Sequence, residues 1–138
     1  MRKKLIIITV MCFILAFSCS CNLNGKKQYY SEKENYISIT GTITEIKYNE
    51  DSTALYISFS DLSPVLDDVS FKIVGDNLQI VQNNGIDSKL RTGDKINFIT
   101  APKYFGDGYV MPIVAISVNG ENLLDFEEGY ANLLKWLS

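Results

Sequence analysis

YISITGTITEIKY, residues Tyr36 to Tyr48, decides how this chain folds. Ile37, Ile39 and Ile43 hold odd positions, with Gly41 between them; Ile46 and Tyr48 then carry the apolar character at even positions. A strand has a period of two, so a change of parity implies a bulge or a sharp coil near Thr44-Glu45. A first strand that is long, contains a glycine and changes phase can serve two sheets at once, which is the device that closes small barrels.

The strand pattern continues from there. Asn49-Glu50-Asp51-Ser52 is a turn of hairpin length. Thr53 to Ser60 alternates Leu55, Ile57 and Phe59 on one face with Tyr56, Ser58 and Ser60 on the other. Asp61 to Asp68 contains Pro64 and reads as a connection, and Val69 to Val74 is a third strand with Ser70 and Lys72 outward. Asp76 is placed as the N-cap of a short helix over Asn77 to Asn84 that ends at Gly85, with Leu78, Val81 and Ile80 inward. Lys95 to Ala101 and Tyr109 to Val118 are the fourth and fifth strands, and Pro112 in the fifth implies an edge position or a bulge. Asn119-Gly120 is a turn. Asp125 and Glu128 have capping-box spacing, and Phe126, Tyr130, Leu133, Leu134 and Leu137 form one helical stripe. Gly129 inside that helix costs up to about 1 kcal/mol, so the helix relies on docking. Trp136 lies off the stripe, where it either broadens the buried face or stays exposed.

Strand, strand, strand, helix, strand, strand and a final helix, with a long coiled first strand and a Gly93-Asp94 turn entering the fourth, resembles the OB-fold over Tyr36 to Val118. The expected class is therefore all-β, an OB-fold-like β-barrel with a short internal helix and a C-terminal amphipathic helix. Another small all-β barrel or sandwich is the competing architecture.

The chain ahead of Tyr36 has a different character. Arg2, Lys3 and Lys4 precede Leu5 to Phe17, a run whose only polar member is Thr9. At about 1.5 Å per helical residue such a run falls short of the ~30 Å hydrocarbon core, so it reads as a secretory signal and not a span. Leu15-Ala16-Phe17-Ser18-Cys19 resembles the lipobox of bacterial lipoproteins, although Leu15 stands one place further from Cys19 than that family prefers. The resemblance implies a signal peptide over residues 1–18 and lipidation of Cys19, with Cys21 as the alternate. Residues 19–35 would form a lipidated N-terminus and flexible tether, and residues 36–138 the barrel domain with its C-terminal helix. Localisation would be the outer face of the bacterial plasma membrane, in the cell envelope, held by lipid.

Composition restricts the chemistry. The 138 residues contain no histidine, and the three cysteines, Cys12, Cys19 and Cys21, all precede residue 22. That excludes Ser-His-Asp and Cys-His catalysis, Cys/His zinc sites and a disulfide framework for the domain. No GxSxG, SxxK, GxxxxGK[ST] or GxGxxG occurs. Asp61, Asp67, Asp68 and Asp76 match no calcium-loop spacing. The expectation is a non-enzyme with no cofactor and no metal. From Tyr36 onward, Lys47, Lys72, Lys89, Arg91, Lys95, Lys103 and Lys135 are the basic residues, against fourteen acidic ones. Nucleic-acid binding needs a basic track, so this excess of acid speaks against it.

What remains is a binding module for an extracellular protein, peptide or glycan. Its candidate contacts are Tyr56 and Lys72 on the outward strand faces and Lys103, Tyr104, Phe105, Asp107 and Tyr109 around a glycine-rich loop. The loop aromatics alternatively fold back to cover the barrel end. A second functional class is an envelope accessory or immunity-type protein whose acidic surface sequesters a cationic toxin or hydrolase. An OB-type nucleic-acid binder is the third and weakest.

Overall fold

A computed structural model describes residues 27–67, 69–103 and 109–138. The signal segment, Cys19, Cys21, Asp68, Tyr104, Phe105 and Asp107 lie outside them. The chain divides into two compact units, Met1–Glu32 and Lys33–Ser138. Of the first, residues 27–31 are helical, inside the stretch expected as a tether; the Ser31 hydroxyl donates to the Gln28 carbonyl at 2.7 Å.

The second unit opens with a 3-10 turn at Lys33–Asn35 and continues into six strands: β1 (Ile37–Tyr48), β2 (Ala54–Ser63), β3 (Ser70–Val74), β4 (Lys95–Thr100), β5 (Val110–Val118) and β6 (Glu121–Leu124). Helices α1 (Gly75–Asn83) and α2 (Ile86–Lys89) link β3 to β4, and α3 (Phe126–Trp136) ends the chain. The class is all-β, mostly antiparallel, with a few helices.

β1 explains the topology. Its first half, Ile37 to Thr42, pairs with β4, and its second half, through Tyr48, pairs with β2. Register slips fall between Thr40 and Thr42 and between Ile43 and Glu45, where the change of parity predicts a bulge. Gly41 serves the coil: a Cβ there would stand 2.8 Å from Leu62 Cδ2 and 3.1 Å from Phe59 Cβ. β3 pairs with β2 on one side and, in parallel, with β5 on the other. The ladders β1–β2–β3–β5–β4–β1 therefore form a closed circuit, with β6 appended to β5. Inside it Ile39, Ile43, Leu55, Ile57, Ile73, Ile96 and Ile113 are buried around three phenylalanines. Phe98 stacks on Phe59 at 4.6 Å between ring centroids and meets Phe71 edge-on at 4.8 Å. Leu78 and Val81 of α1 join this core, as their spacing predicts.

Several expectations need correction. Asp76 is not the N-cap: α1 starts two residues earlier than expected, at Gly75, after Val74, and Asp76 instead accepts from Lys135 of α3 at 2.8 Å. Gly75 makes the earlier start possible, because its φ of +59° is open to glycine. β2 runs on to Ser63, beyond the expected Ser60. Of the two alternatives at Pro112, the edge position fails, because β5 is paired with β3, β4 and β6, while a register slip does fall close by, at Val114. The Pro112 carbonyl accepts from the buried Thr100 hydroxyl at 2.6 Å. β6 is an additional strand; Asn119 and Gly120 both have positive φ and form the tight hairpin turn that Asn-Gly favours. The carbonyl of Leu123 in β6 accepts from the Asn84 side chain at 2.8 Å. Asp125 does cap α3, but through the Glu127 amide at 3.1 Å.

α3 packs on β5 through Gly129. A Cβ built there would overlap the Val114 carbonyl oxygen and stand 2.7 Å from its carbonyl carbon. Asn77 of α1, buried, donates to the Gly129 carbonyl at 2.9 Å and accepts from Asn132 at 3.0 Å. The one asparagine thus satisfies two groups where the helices cross.

Candidate functional site

The outer face of β1, β2 and β3 is built by register. Glu45 lies opposite Ser58, Lys47 opposite Tyr56, and Tyr56 opposite Lys72. Directly opposed residues have Cβ atoms about 4.5–5.5 Å apart, so Lys47, Tyr56 and Lys72 form a row across three strands. Ser70 lies two residues before Lys72 and therefore on the same face. The Lys72 ammonium sits 5.9 Å from the Trp136 ring centroid, extending the row to α3. Trp136 itself is half exposed and covers Gly75: a Cβ at Gly75 would fall 2.6 Å from the indole Cδ1.

A groove of about 510 Å³ opens beside this row, lined by Glu45, Lys47, Tyr48, Tyr56, Ser58 and Ser70, with Asn49 and Glu50 at its rim. It offers aromatic faces for stacking, hydroxyl and amide groups for hydrogen bonds, and both signs of charge.

Tyr48 closes the groove at the β1–β2 turn. Its hydroxyl donates to Asp87 of α2 at 2.6 Å and accepts from Gln82 of α1 at 3.3 Å. Burial, and then the bond to Asp87, raise its pKa above the ordinary tyrosine value, against the opposing effect of Gln82. The folded state therefore holds this proton more tightly than the unfolded chain. The associated stability is complete below about pH 9, where the unfolded phenol starts to ionise, and is lost as pH rises through the folded pKa. Tyr30, buried and beside Tyr29, shifts in the same direction. Denaturation midpoints measured from about pH 9 upward should fall with pH, and Tyr48→Phe should reduce that slope without removing it.

A smaller groove of about 350 Å³ lies between Lys89, Arg91, Asp94 and Glu121. Lys89 is committed there to Glu121 at 2.6 Å and to the Asn84 carbonyl at 2.8 Å. Among the described residues no three acidic or cysteine side chains converge as metal ligands, and no helix is long and apolar enough to cross a membrane.

Of the sequence-derived site residues, Tyr56 and Lys72 come together as cross-strand neighbours. Lys103 and Tyr109 flank the β4–β5 connection at the end of the sheet, and Tyr109 is exposed. Tyr104, Phe105 and Asp107 belong to the segment outside the described residues, as do Cys19 and Cys21. Glu45, Lys47 and Tyr48 were not among the expected contacts. The parity change in β1 carries the signal for the first two, since after the bulge odd positions face outward. Comparison with family models, curated proteins and solved structures returns no match.

Proposed function

We propose that this chain is an extracytoplasmic lipoprotein that acts as a non-catalytic binding module. Cys19, or Cys21 in its place, carries the lipid, and the domain is an OB-like β-barrel that receives an envelope or extracellular ligand in the groove beside Tyr56. The closed circuit of ladders supports the barrel reading, because β3 and β5 pair in parallel after an antiparallel path through β1 and β2. The observation that carries the binding role is the groove itself: half-buried Tyr56 is flanked by Lys47 and Lys72 on its two neighbouring strands. A central aromatic in such a setting typically contributes 2 kcal/mol or more to a contact, roughly a thirtyfold change in affinity.

Crosslinking capture from intact cells tests this. Tyr56→Ala should fold normally, because Tyr56 lies on the outer face, and should lose most of the captured ligand. A folded Tyr56→Ala protein that captures as much as the wild type would show that the groove is not the contact surface. Palmitate labelling of Cys19→Ser tests the anchor: undiminished labelling would move the lipid to Cys21.

The excess of acidic residues favours a second reading, sequestration of a cationic toxin or hydrolase. Salt separates the two. Capture that weakens steeply with ionic strength supports the second reading, and capture that does not supports the groove-centred one.

A further inference from the structure

Two aromatic side chains stand along one track on the outer face. Tyr56 lines the larger groove, and Lys72 lies directly opposite it on β3. The Lys72 ammonium reaches to 5.9 Å from the Trp136 ring centroid, so a single lysine separates the two rings. Trp136 also walls a second hollow of about 130 Å³, shared with Gly75, Asp76, Asn132 and Lys135. A track therefore runs from the groove across Lys72 to Trp136 and its hollow. Its aromatic walls are held in advance. The Tyr48 hydroxyl is bonded to both Asp87 and Gln82, and the Trp136 indole lies on Gly75, where a Cβ would fall 2.6 Å from Cδ1. Groups fixed before binding lose little freedom when a ligand arrives.

The polar groups of the groove are unspent. Among the described residues, no side chain bonds to those of Glu45, Lys47, Tyr56, Ser58 or Ser70. The hydroxyls donate and accept, the carboxylate accepts and the ammonium donates. Charge then selects among ligands. Glu45 and Glu50 stand beside Lys47 and Lys72 on this face, and Asp51 lies in the adjoining turn. Asp76 is paired with Lys135, and Asp87 is bonded to Tyr48. A polyanion laid along the track would meet Glu45 and Glu50, and a polycation would meet Lys47 and Lys72. A neutral chain meets no like charge. An extended peptide cannot join by adding a strand here, because β2 is already paired with β1 and β3 on either side of Tyr56.

We propose that this face binds a neutral oligosaccharide that runs from the groove to Trp136, with one sugar ring packed on Tyr56 and another on Trp136. The proposal rests on the groove reading of the preceding section and adds the ligand's class and its second contact. A sugar ring presents a C–H face that packs on an aromatic ring, and a rim of hydroxyls that each donate and accept. The unspent serine hydroxyls, carboxylates and ammonium of the groove match that rim.

Trp136 is the sole tryptophan, so its emission reports on its own subsite. The full chain is titrated with cellotetraose, chitotetraose and maltotetraose, and with the corresponding monosaccharides. At least one tetrasaccharide should change the emission saturably, with an affinity that added salt leaves unaltered. Its monosaccharide should bind at least about tenfold more weakly, because it reaches only one ring. Tyr56→Ala keeps the reporter and should weaken binding about thirtyfold. In calorimetry, with the unfolding midpoint checking the fold, Trp136→Ala should lose about tenfold and Trp136→Phe should recover most of it. Absence of emission and heat changes with all three tetrasaccharides overturns the glycan. If Tyr56→Ala has meanwhile lost its captured ligand, the groove stands with an occupant of another class, a peptide. Affinity that Trp136→Ala leaves unchanged overturns the track to Trp136, and affinity that falls steeply with salt overturns the neutral class. Tyr56→Ala protein that captures its ligand in full removes the groove and this inference together.

Discussion

Gly129→Ala is expected to destabilise the domain by about 2–3 kcal/mol or more, the cost of forcing a methyl group into a filled space. Helix propensity alone gives the opposite sign, since alanine in place of an exposed mid-helix glycine stabilises by about 1 kcal/mol. The packing term decides, because the added carbon meets the backbone carbonyl of Val114 and not a side chain that can rotate away. Val114 cannot retreat: it is fully buried and lies in the part of β5 where the β4 register slips. α3 must lift instead. Lifting it stretches the bond from Asn77 to the Gly129 carbonyl and exposes Leu133. Urea midpoints compare this variant with Ala131→Gly, at an exposed position of the same helix, which should cost only about 1 kcal/mol. If Gly129→Ala proves the milder of the two, the close approach of α3 to β5 is not what holds the helix down.

Phe98→Ala is expected to cost about 3–5 kcal/mol, the usual range for removing a buried aromatic ring. Phe98 is the middle member of the aromatic trio: it stacks on Phe59 from β2 and meets Phe71 from β3, while its own backbone belongs to β4. Its ring fills the space enclosed by the ladders, and the surrounding strands are hydrogen-bonded on both sides and cannot close in. Phe59→Ala should cost less, because Phe59 retains some contact with solvent. Chemical denaturation of the two single variants and the double variant measures the coupling. A large non-additive term is expected for rings in contact, and additivity within about 0.5 kcal/mol would contradict it.

Sequence periodicity captured those parts of the fold that depend on side-chain alternation. The parity change between Ile43 and Ile46 predicted the bulge, and the i, i+4, i+7 spacing from Phe126 predicted α3. It failed where alternation is absent or where structure depends on a contact distant in sequence. β6 has four residues and places Leu123 and Leu124 side by side, both buried, so no alternation marks it as a strand. Gly129 read as a defect in a helix, because only the neighbouring strand reveals what the missing side chain makes room for. Asp76 read as a cap because its real partner, Lys135, lies 59 positions away. The groove was half legible: Tyr56 and Lys72 each faced outward in the sequence, but only the register places them opposite one another with Lys47 on the far side.

The closed circuit of ladders has a consequence for crowding, which the proposed lipid anchor would heighten. Crowded copies meet often, and an open strand edge is a template on which neighbours can polymerise. Here each of five strands pairs with two others over part of its length, and β6 is short. Its Leu123 carbonyl, which another chain's amide could otherwise claim, already accepts from Asn84. Asn84→Ala should leave the monomer folded but more prone to self-association on crowding. The asparagine side chain thus acts as a guard against aggregation as well as a fastener of the fold.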